Sequence, residues 1–252
     1  MCNANKNDSE QNTPEFSPSG YRQLIELLKA CRYDFADYKS WAEHEKSVIL
    51  RHDVDVDLNK AVKLSNLEKE LDVSSTFFVL LRSNFYNPFS PESIKAMSQI
   101  IANGSEIGLH YDETLYSDSS HIVHIQDEAR LLSRLIGKPV TKVSMHRPSK
   151  STLKEFWEIP GMVNSYSREF FEGFKYVSDS RCHWREPVFT IIKCNQYPRL
   201  HLLTHPNWYD GEGGIQVKLQ SLLCDHYYAY YDNLNANFTN LASVLPSPKC
   251  FL

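Results

Sequence analysis

Residues 48–57 read VILRHDVDVD, an apolar segment that ends in three carboxylates at alternating positions. Side chains at positions i and i+2 of a β-strand lie on the same face, so we expect Asp53 and Asp55 to enter one pocket together. Two neighbouring carboxylates repel each other unless a cation or a shared proton stabilises them. The pair therefore suits a divalent metal, with one carboxylate as ligand and the other as base, whereas Asp57 is expected to cap the following helix.

Three further strand-like segments end in histidine. The segment SEIGLHYD places His110 and Asp112 at i and i+2, TKVSMHRP contains His146, and LHLLTHP contains His205. A single histidine of this kind is typical of a hydrogen-bonded structural residue. Four strand ends that carry Asp or His indicate a shared functional site.

The composition is that of an ordinary globular protein. With 252 residues, of which 42% are hydrophobic and 23% charged, the chain is expected to form one domain with a sizeable core. The formal net charge of −4 argues against nucleic acid as a partner. The six cysteines lack the CxxC spacing of a zinc ribbon and the density of a small disulfide-rich domain, which favours free thiols in a reducing compartment.

The N-terminal composition guides the expected boundaries and location. Residues 1–19 are polar and lack the apolar segment of a signal peptide, and we predict a disordered tail there. No later segment contains the roughly 20 apolar residues of a membrane span. We therefore expect a single catalytic domain over residues 20–252 and a cytoplasmic location.

Helix-period and strand-like segments alternate along the chain, which is typical of a parallel sheet with outer helices. In such folds functional residues lie at the carboxyl ends of the strands. The pattern fits a closed barrel and an open sheet equally, but a nucleotide-binding open sheet lacks its G-x-G-x-x-G or P-loop motif. A last helix carries a cluster of tyrosines that is expected to pack. The other predicted helices lie at about 21–32, 57–71, 91–101 and 122–136, and the predicted strands at about 48–53, 74–80, 105–110, 141–146, 161–166, 174–179 and 198–204.

A set of ordered segments from about Leu50 to Tyr209 resembles the polysaccharide deacetylase superfamily, also called the NodB-homology family or carbohydrate esterase family 4. The most similar branch is often associated with surface-polysaccharide gene clusters. The resemblance implies an α/β fold, a distorted parallel (β/α) barrel of about seven strands. The segments are LRHDVD, STFFV, GLHYDE, SMHRP, YVSD with the Trp184 that follows it, and LLTHP.

The resemblance implies a metal-dependent hydrolase that removes an N-acetyl or other acyl group from a saccharide. The expected partner is an acetylated amino sugar, nucleotide sugar or oligosaccharide, and the expected cofactor is one divalent ion, zinc above others. Two alternatives stay open. One is a metal-dependent hydrolase of a C–N or ester bond outside sugars. The other is a metal-free carbohydrate-binding pseudoenzyme, with which the altered first and second motifs are compatible.

Two departures from the common family pattern affect the ligand set. The common first motif has two consecutive Asp residues, whereas Val54 separates them here, which leaves open whether Asp53 or Asp55 binds the metal. The common second motif carries a further histidine where this chain has Thr114. His146 is the candidate for the second imidazole, because the resembled branch has a histidine at that strand end. Further candidates, with surface roles expected for the two histidines, are Asp112, Glu113, His121 and His124.

The resemblance also implies a division of roles. It assigns the metal to Asp55, His110 and His146. Asp53 is the expected base for the attacking water, and His205 is the expected acid for the leaving amine. Residues expected to orient the site or to bind substrate are Tyr111, Asp112, Arg147, Asp179 and Trp184.

Three of these orienting residues have a specific expectation. Arg147 pairs with Asp53 and keeps it ionised, or else lies on the surface. Asp179 orients His205. Trp184 stacks on a sugar ring, or else is buried in the core.

Overall fold

The structure, a computed structural model, describes residues 12–118 and 120–247. Contacts divide the chain into two compact units, one that ends at Asp210 and one that begins at Gly211. All of the predicted site residues lie in the first unit. The single catalytic domain over residues 20–252 stays a prediction.

The first unit is built around a parallel sheet, whose strands are β1 Asp34–Ala36, β2 Ser47–Val54, β3 Thr76–Leu80, β4 Glu106–Tyr111, β5 Lys142–Met145, β6 Val163–Asn164, β7 Lys175–Ser178 and β8 Arg199–Thr204. Hydrogen bonds join seven of them in the order β6-β5-β4-β3-β2-β8-β7, and β1 pairs with β2 beside this path. Every pairing is parallel. The sheet curls into a half-barrel with flanking helices, which confirms the predicted distorted (β/α) barrel.

The seven predicted strands are all present. The largest difference is at β6, which is much shorter than the predicted 161–166. The sequence did not predict β1, because its three residues are too few to show a periodicity. It extends the sheet beside β2, where Ala36 pairs with Ile49.

The two faces of β2 pack against different groups, and every residue of the strand is buried. Val48 and Leu50 belong to the large core cluster that also contains helix residues. Ile49 packs in a separate cluster. Because strand side chains alternate between faces, Arg51 and Asp53 share the face of Ile49. This register places Arg51 and Asp53 on the face that carries the smaller cluster, which also contains Tyr38, Phe78 and Phe170.

A buried polar network ties β2 to the surrounding helices on its other face. His52 Nε2 lies 2.8 Å from Glu68 Oε1, and His52 Nδ1 lies 2.6 Å from Thr204 Oγ1. Glu68 also accepts hydrogen bonds from the hydroxyls of Tyr21 and Ser75, each at 2.7 Å. A fully satisfied network of this kind rigidifies its surroundings. It therefore supports β2 and β8, the strands that lead into the site.

The helices are α1 Pro18–Ala30, α2 Leu58–Glu70, α3 Pro91–Ala102, α4 His121–Ile136, α5 Thr152–Glu155, α6 Arg168–Glu172, α7 Val188–Lys193, α8 Ile215–Asn237 and α9 Leu241–Val244. Side-chain caps set two of the predicted starts. Asp57 accepts a hydrogen bond from the backbone N–H of Asn59 at the start of α2, and Ser90 accepts one from Ser93 at the start of α3. Helix α4 ends at Gly137, whose φ of 67° lies in the left-handed region.

The structure describes only the last part of the predicted N-terminal tail, residues 12–19. Residues 1–11 lie outside the described residues. Asn12 accepts a backbone hydrogen bond of 2.9 Å from α7, Phe16 stacks against Trp184, and α1 begins at Pro18. The folded part therefore starts before residue 20.

The second unit consists of α8, α9 and their flanking residues. The expected packing is not observed for three tyrosines of α8, since Tyr227, Tyr228 and Tyr230 are 53%, 40% and 61% exposed. The hydroxyl of Tyr231 donates a hydrogen bond of 3.0 Å to the carbonyl of Leu245. Across the described ranges, no helix combines the length and apolar character that crossing a membrane requires.

Candidate metal centre and active site

Four strand ends bring the candidate residues to one edge of the sheet. Asp55 follows β2, His110 lies in β4, His146 follows β5 and His205 follows β8. Parallel neighbours present their carboxyl ends at the same edge. The backbone N–H of His146 donates a hydrogen bond of 2.8 Å to the carbonyl of Tyr111, which holds the ends of β4 and β5 together.

Three potential ligand atoms form a small triangle at this edge. Asp55 Oδ1 lies 3.2 Å from His110 Nε2 and 3.2 Å from His146 Nδ1. The two imidazole nitrogens are 3.1 Å apart. Ligand atoms around a tetrahedral ion with bonds of about 2.0–2.1 Å lie about 3.3 Å from one another. The triangle therefore has the size that a divalent ion of this kind requires, and these three side chains could hold one.

The hydrogen bonds around the triangle favour a cation at its centre. His110 Nδ1 lies 3.3 Å from the carbonyl oxygen of Ser144. In a neutral ring this nitrogen carries the proton, and Nε2 presents a lone pair to the triangle. Asp55 Oδ1 is buried and faces only the two imidazole nitrogens, with no other hydrogen-bond partner among the described residues. Atoms that carry lone pairs thus converge where a metal would bind, and the carbonyl orients the imidazole as in known metal sites.

Asp55 is held in its ionised form. Burial by itself raises the pKa of this carboxyl, but contacts with His110 and His146 outweigh burial and hold the pKa well below its usual range. An ionised carboxylate and two imidazoles are ligands typical of zinc sites.

Asp53 has different surroundings. Its Oδ2 lies 3.2 Å from the guanidinium of Arg51, and the hydroxyl of Ser144 donates to Oδ1 at 3.3 Å. The distance from Asp53 Oδ2 to His110 Nε2 is 3.8 Å, so Asp53 lies beside the triangle rather than in it. The two carboxylates of the first motif therefore face different partners, one the imidazoles and the other a guanidinium.

Arg51 is a site residue that the sequence interpretation missed. Its side chain is fully buried. It donates to the Ser165 hydroxyl at 2.6 Å and to the Tyr166 hydroxyl at 3.2 Å, besides the contact with Asp53. An arginine stays protonated even when buried, so Arg51 is a fixed positive charge beside the carboxylate. The signal was present, since Arg51 and Asp53 are at i and i+2 of the same strand.

Arg147 lies at the surface beside Asp112. Its Nε lies 3.2 Å from Asp112 Oδ2, and its side chain is 61% exposed. Of the two alternatives for Arg147, the structure shows the surface position rather than pairing with Asp53, because Arg51 occupies that position from within β2. Asp112 is buried and also accepts hydrogen bonds from Thr114, so it serves to hold the loop that follows β4.

His205 lies beside the triangle, near Asp55. Its Nδ1 lies 2.6 Å from Asp179 Oδ1, and its backbone N–H donates to Asp179 Oδ2 at 3.0 Å. Tyr209 donates to the same oxygen at 2.9 Å. Burial by itself lowers the pKa of His205, but the Asp179 carboxylate outweighs burial and raises it to about 9. The ring is thus protonated at neutral pH, with its Nε2 3.8 Å from Asp55 Oδ2.

Trp184 is a core residue rather than a platform for a sugar. It is 7% exposed and stacks on Phe16 with an interplanar angle of 7° and a centroid distance of 6.4 Å. The sequence interpretation missed Trp208, whose ring centroid lies 6.5 Å from that of His205. The indole N–H of Trp208 is buried without a hydrogen-bond partner among the described residues. Trp208 is therefore the aromatic side chain that borders the acid.

The remaining candidates lie to one side of the triangle. Tyr111 is fully buried, and its hydroxyl lies 2.9 Å from His121 Nδ1, so it supports the site rather than contacting substrate. His124 Nε2 lies 2.8 Å from Asp118, which agrees with the expected surface role. Neither His121 nor His124 belongs to the group of three potential ligands.

Comparisons with known proteins find similar solved structures. No protein-family model and no curated protein matches the chain. Similar solved structures include a Streptococcus pyogenes deacetylase in complex with acetate, at 13% identity, with 81% of this chain and 87% of that chain covered and a TM-score of 0.45. A polysaccharide deacetylase from Bacillus cereus is 19% identical over 64% of this chain and 79% of that chain, with a TM-score of 0.41.

A CE4 family pseudoenzyme from Bacillus anthracis is also similar, at 14% identity and a TM-score of 0.42. The match covers 73% of this chain and 61% of the pseudoenzyme, less than two thirds of its length. These structures carry names from the superfamily that the motifs resemble.

Proposed function

We propose that this protein is a metal-dependent hydrolase that removes an N-acetyl or other acyl group from an amino sugar or a saccharide. One observation supports the proposal above all others. A triangle of ligand atoms lies beside both a carboxylate paired with arginine and a protonated histidine paired with aspartate. A base, a metal site and an acid are the three elements that hydrolysis of an amide by an activated water requires.

Asp55, His110 and His146 would hold the ion in this proposal, and one carboxylate with two imidazoles favours zinc. When bound, a divalent ion lowers the pKa of water and polarises the acyl carbonyl. Asp53 takes the proton of the attacking water, while Arg51 holds this carboxylate in place. His205, protonated and oriented by Asp179, then donates its proton to the amine as the C–N bond breaks.

The motif resemblance also supports a proposal about the biological role of the protein. It favours a role in surface-polysaccharide biosynthesis. A pseudoenzyme would retain the fold without a working set of base, ligands and acid, whereas each member of the proposed set has a chemically suitable partner here. A hydrolase of non-sugar substrates has the same machinery, and only the substrate distinguishes it.

Two measurements on the purified protein test the proposal. Metal analysis is expected to find about one divalent ion per chain. Acetate release from N-acetylated sugars and oligosaccharides is expected with the metal-loaded protein and lost after chelation. Absence of bound metal would favour the pseudoenzyme, and metal with release only from non-sugar amides or esters would favour the other hydrolase.

A further inference from the structure

A cavity of about 440 Å³ lies between the segments that follow β4 and β5. Its lining includes Glu113 and Ser149, each three residues after a proposed ligand, His110 in one case and His146 in the other. Three residues span at most about 11 Å of chain. The cavity therefore begins within reach of a unit joined to one that occupies the metal centre.

The walls of this cavity carry negative charge and hydrogen-bond acceptors. Glu113 accepts hydrogen bonds from the Ser149 backbone N–H and the Thr152 hydroxyl, which fix its carboxylate. Glu155 Oε2 accepts from Trp157 Nε1 at 2.7 Å. A carboxylate offers about four acceptor positions, so both groups keep acceptor capacity. The described lining residues include no lysine or arginine.

The cavity also has a rigid aromatic wall. The rings of Trp157 and His121 stack with centroids 4.9 Å apart and an interplanar angle of 15°. His121 Nδ1 is in turn 2.9 Å from the hydroxyl of the fully buried Tyr111. Aromatic faces bind apolar surfaces at little entropic cost, and a few placed polar groups give orientation. A pyranose has this mixed character, with C–H groups on its faces and hydroxyls at its rim.

We propose that this cavity binds the sugar unit next to the one that is deacylated, and that this unit is neutral or carries a free amine. The inference rests on the proposed function and narrows its substrate to an oligosaccharide of at least two units. The two carboxylates disfavour a ligand of like charge. Nucleotide sugars, with their diphosphate, and units with a uronic acid at this position are therefore poor substrates.

Chain-length dependence tests the inference. Acetate release is measured with N-acetylglucosamine and with its linked dimer and trimer. We expect kcat/KM to rise about tenfold from one unit to the longer substrates, as a stacking contact with added hydrogen bonds contributes. The ratio of kcat/KM for the trimer to kcat/KM for the single unit is expected to fall towards one in Trp157→Ala and in Glu155→Gln. Tyr197→Ala, an exposed aromatic change at the opposite end of β8, should keep the wild-type ratio.

Charge provides a second arm of the same test. Oligosaccharides with a free amine on the neighbouring unit are expected to match or exceed the acetylated ones, and those with a uronic acid there are expected to be poorer. Glu155→Gln should reduce this discrimination. The inference is overturned if kcat/KM of the wild type is nearly equal for the monosaccharide and the longer substrates. It is also overturned if Trp157→Ala keeps the wild-type ratio of these values, or if the wild type prefers the uronic acid.

A measurement of oligosaccharide binding distinguishes failure of this inference from failure of the proposed function. Calorimetric titration of the trimer into Asp53→Asn is compared with titration into Asp53→Asn combined with Trp157→Ala. Weaker binding to the double variant, with no acetate release by the wild type on any substrate, means that the sugar site stands and the hydrolase does not. Equal binding to both variants, or no binding to either, overturns the sugar site.

Discussion

Replacing Asp179 with Asn is expected to lower the pKa of His205 and to narrow the pH range in which its imidazole acts as an acid. Asp179 Oδ1 lies 2.6 Å from His205 Nδ1. Burial lowers the pKa of the ring, and the carboxylate outweighs burial and raises it from 6.5 to about 9. At about 1.4 kcal/mol for each pKa unit, this rise corresponds to roughly 3 kcal/mol in favour of the protonated ring.

The pH range of the effect follows from the direction of the shift. Because folding raises the pKa of His205, the stabilisation is fully present below pH 6.5 and is lost as the pH rises through about 9. In Asp179→Asn the amide carries no charge, so the largest contribution that raises the pKa of the ring is lost and this pKa falls well below its wild-type value. The difference in free energy of unfolding between wild type and variant should therefore shrink by roughly 3 kcal/mol across this range.

NMR titration of the His205 ring in the metal-free protein measures the shift directly. We expect a midpoint near 9 for the wild type and a clearly lower one for Asp179→Asn. In the metal-loaded enzyme the basic limb of kcat/KM should move to lower pH in the variant. Tyr209→Phe is the matched control, because it removes only a hydrogen bond of 2.9 Å to Asp179 Oδ2. A wild-type midpoint near 6.5, or equal midpoints in wild type and Asp179→Asn, would refute the reasoning.

Three further predictions concern the metal and the base. His146→Ala should empty the metal site while His124→Ala keeps it, by metal analysis; the reverse pattern would reassign the second imidazole. Asp53→Asn should keep the metal while kcat falls by a factor of about 10²–10⁴, whereas Asp55→Asn should lose the metal. Loss of metal in Asp53→Asn but not in Asp55→Asn would make Asp53 the ligand and Asp55 the base. Arg51→Met leaves Asp53 buried and unpaired, which should lower the free energy of unfolding by about 3–5 kcal/mol in urea titrations. In the double variant Arg51→Met with Asp53→Asn, part of the lost free energy of unfolding should be recovered. If the effects of the two substitutions on the free energy of unfolding simply add, the pairing of Arg51 with Asp53 is contradicted.

Much of the fold was predictable because it depends on local patterns. Apolar segments separated by helix-period segments predicted all seven strands of the main sheet path, and local caps such as Asp57 and Ser90 marked the helix starts. The meeting of Asp55, His110, His146 and His205 at one edge was also predictable, because parallel strands present their carboxyl ends there, and the choice of the three ligands followed from the motif resemblance. Strand β1 was not, since its three residues owe their conformation to pairing with β2.

The sequence by itself determined the alternating strands and helices, the strand ends that carry Asp and His, and therefore the edge at which chemistry is possible. Only the tertiary structure decided the partners of these residues. It placed Arg51 rather than Arg147 against Asp53, and buried Trp184 against Phe16. The physical reason is that such contacts join residues far apart in the chain, as in the bond from Arg51 to Ser165. The local periodicity of the sequence predicts the face of a strand or helix on which a side chain lies. The residues that this side chain contacts depend on how the whole sheet curls and packs.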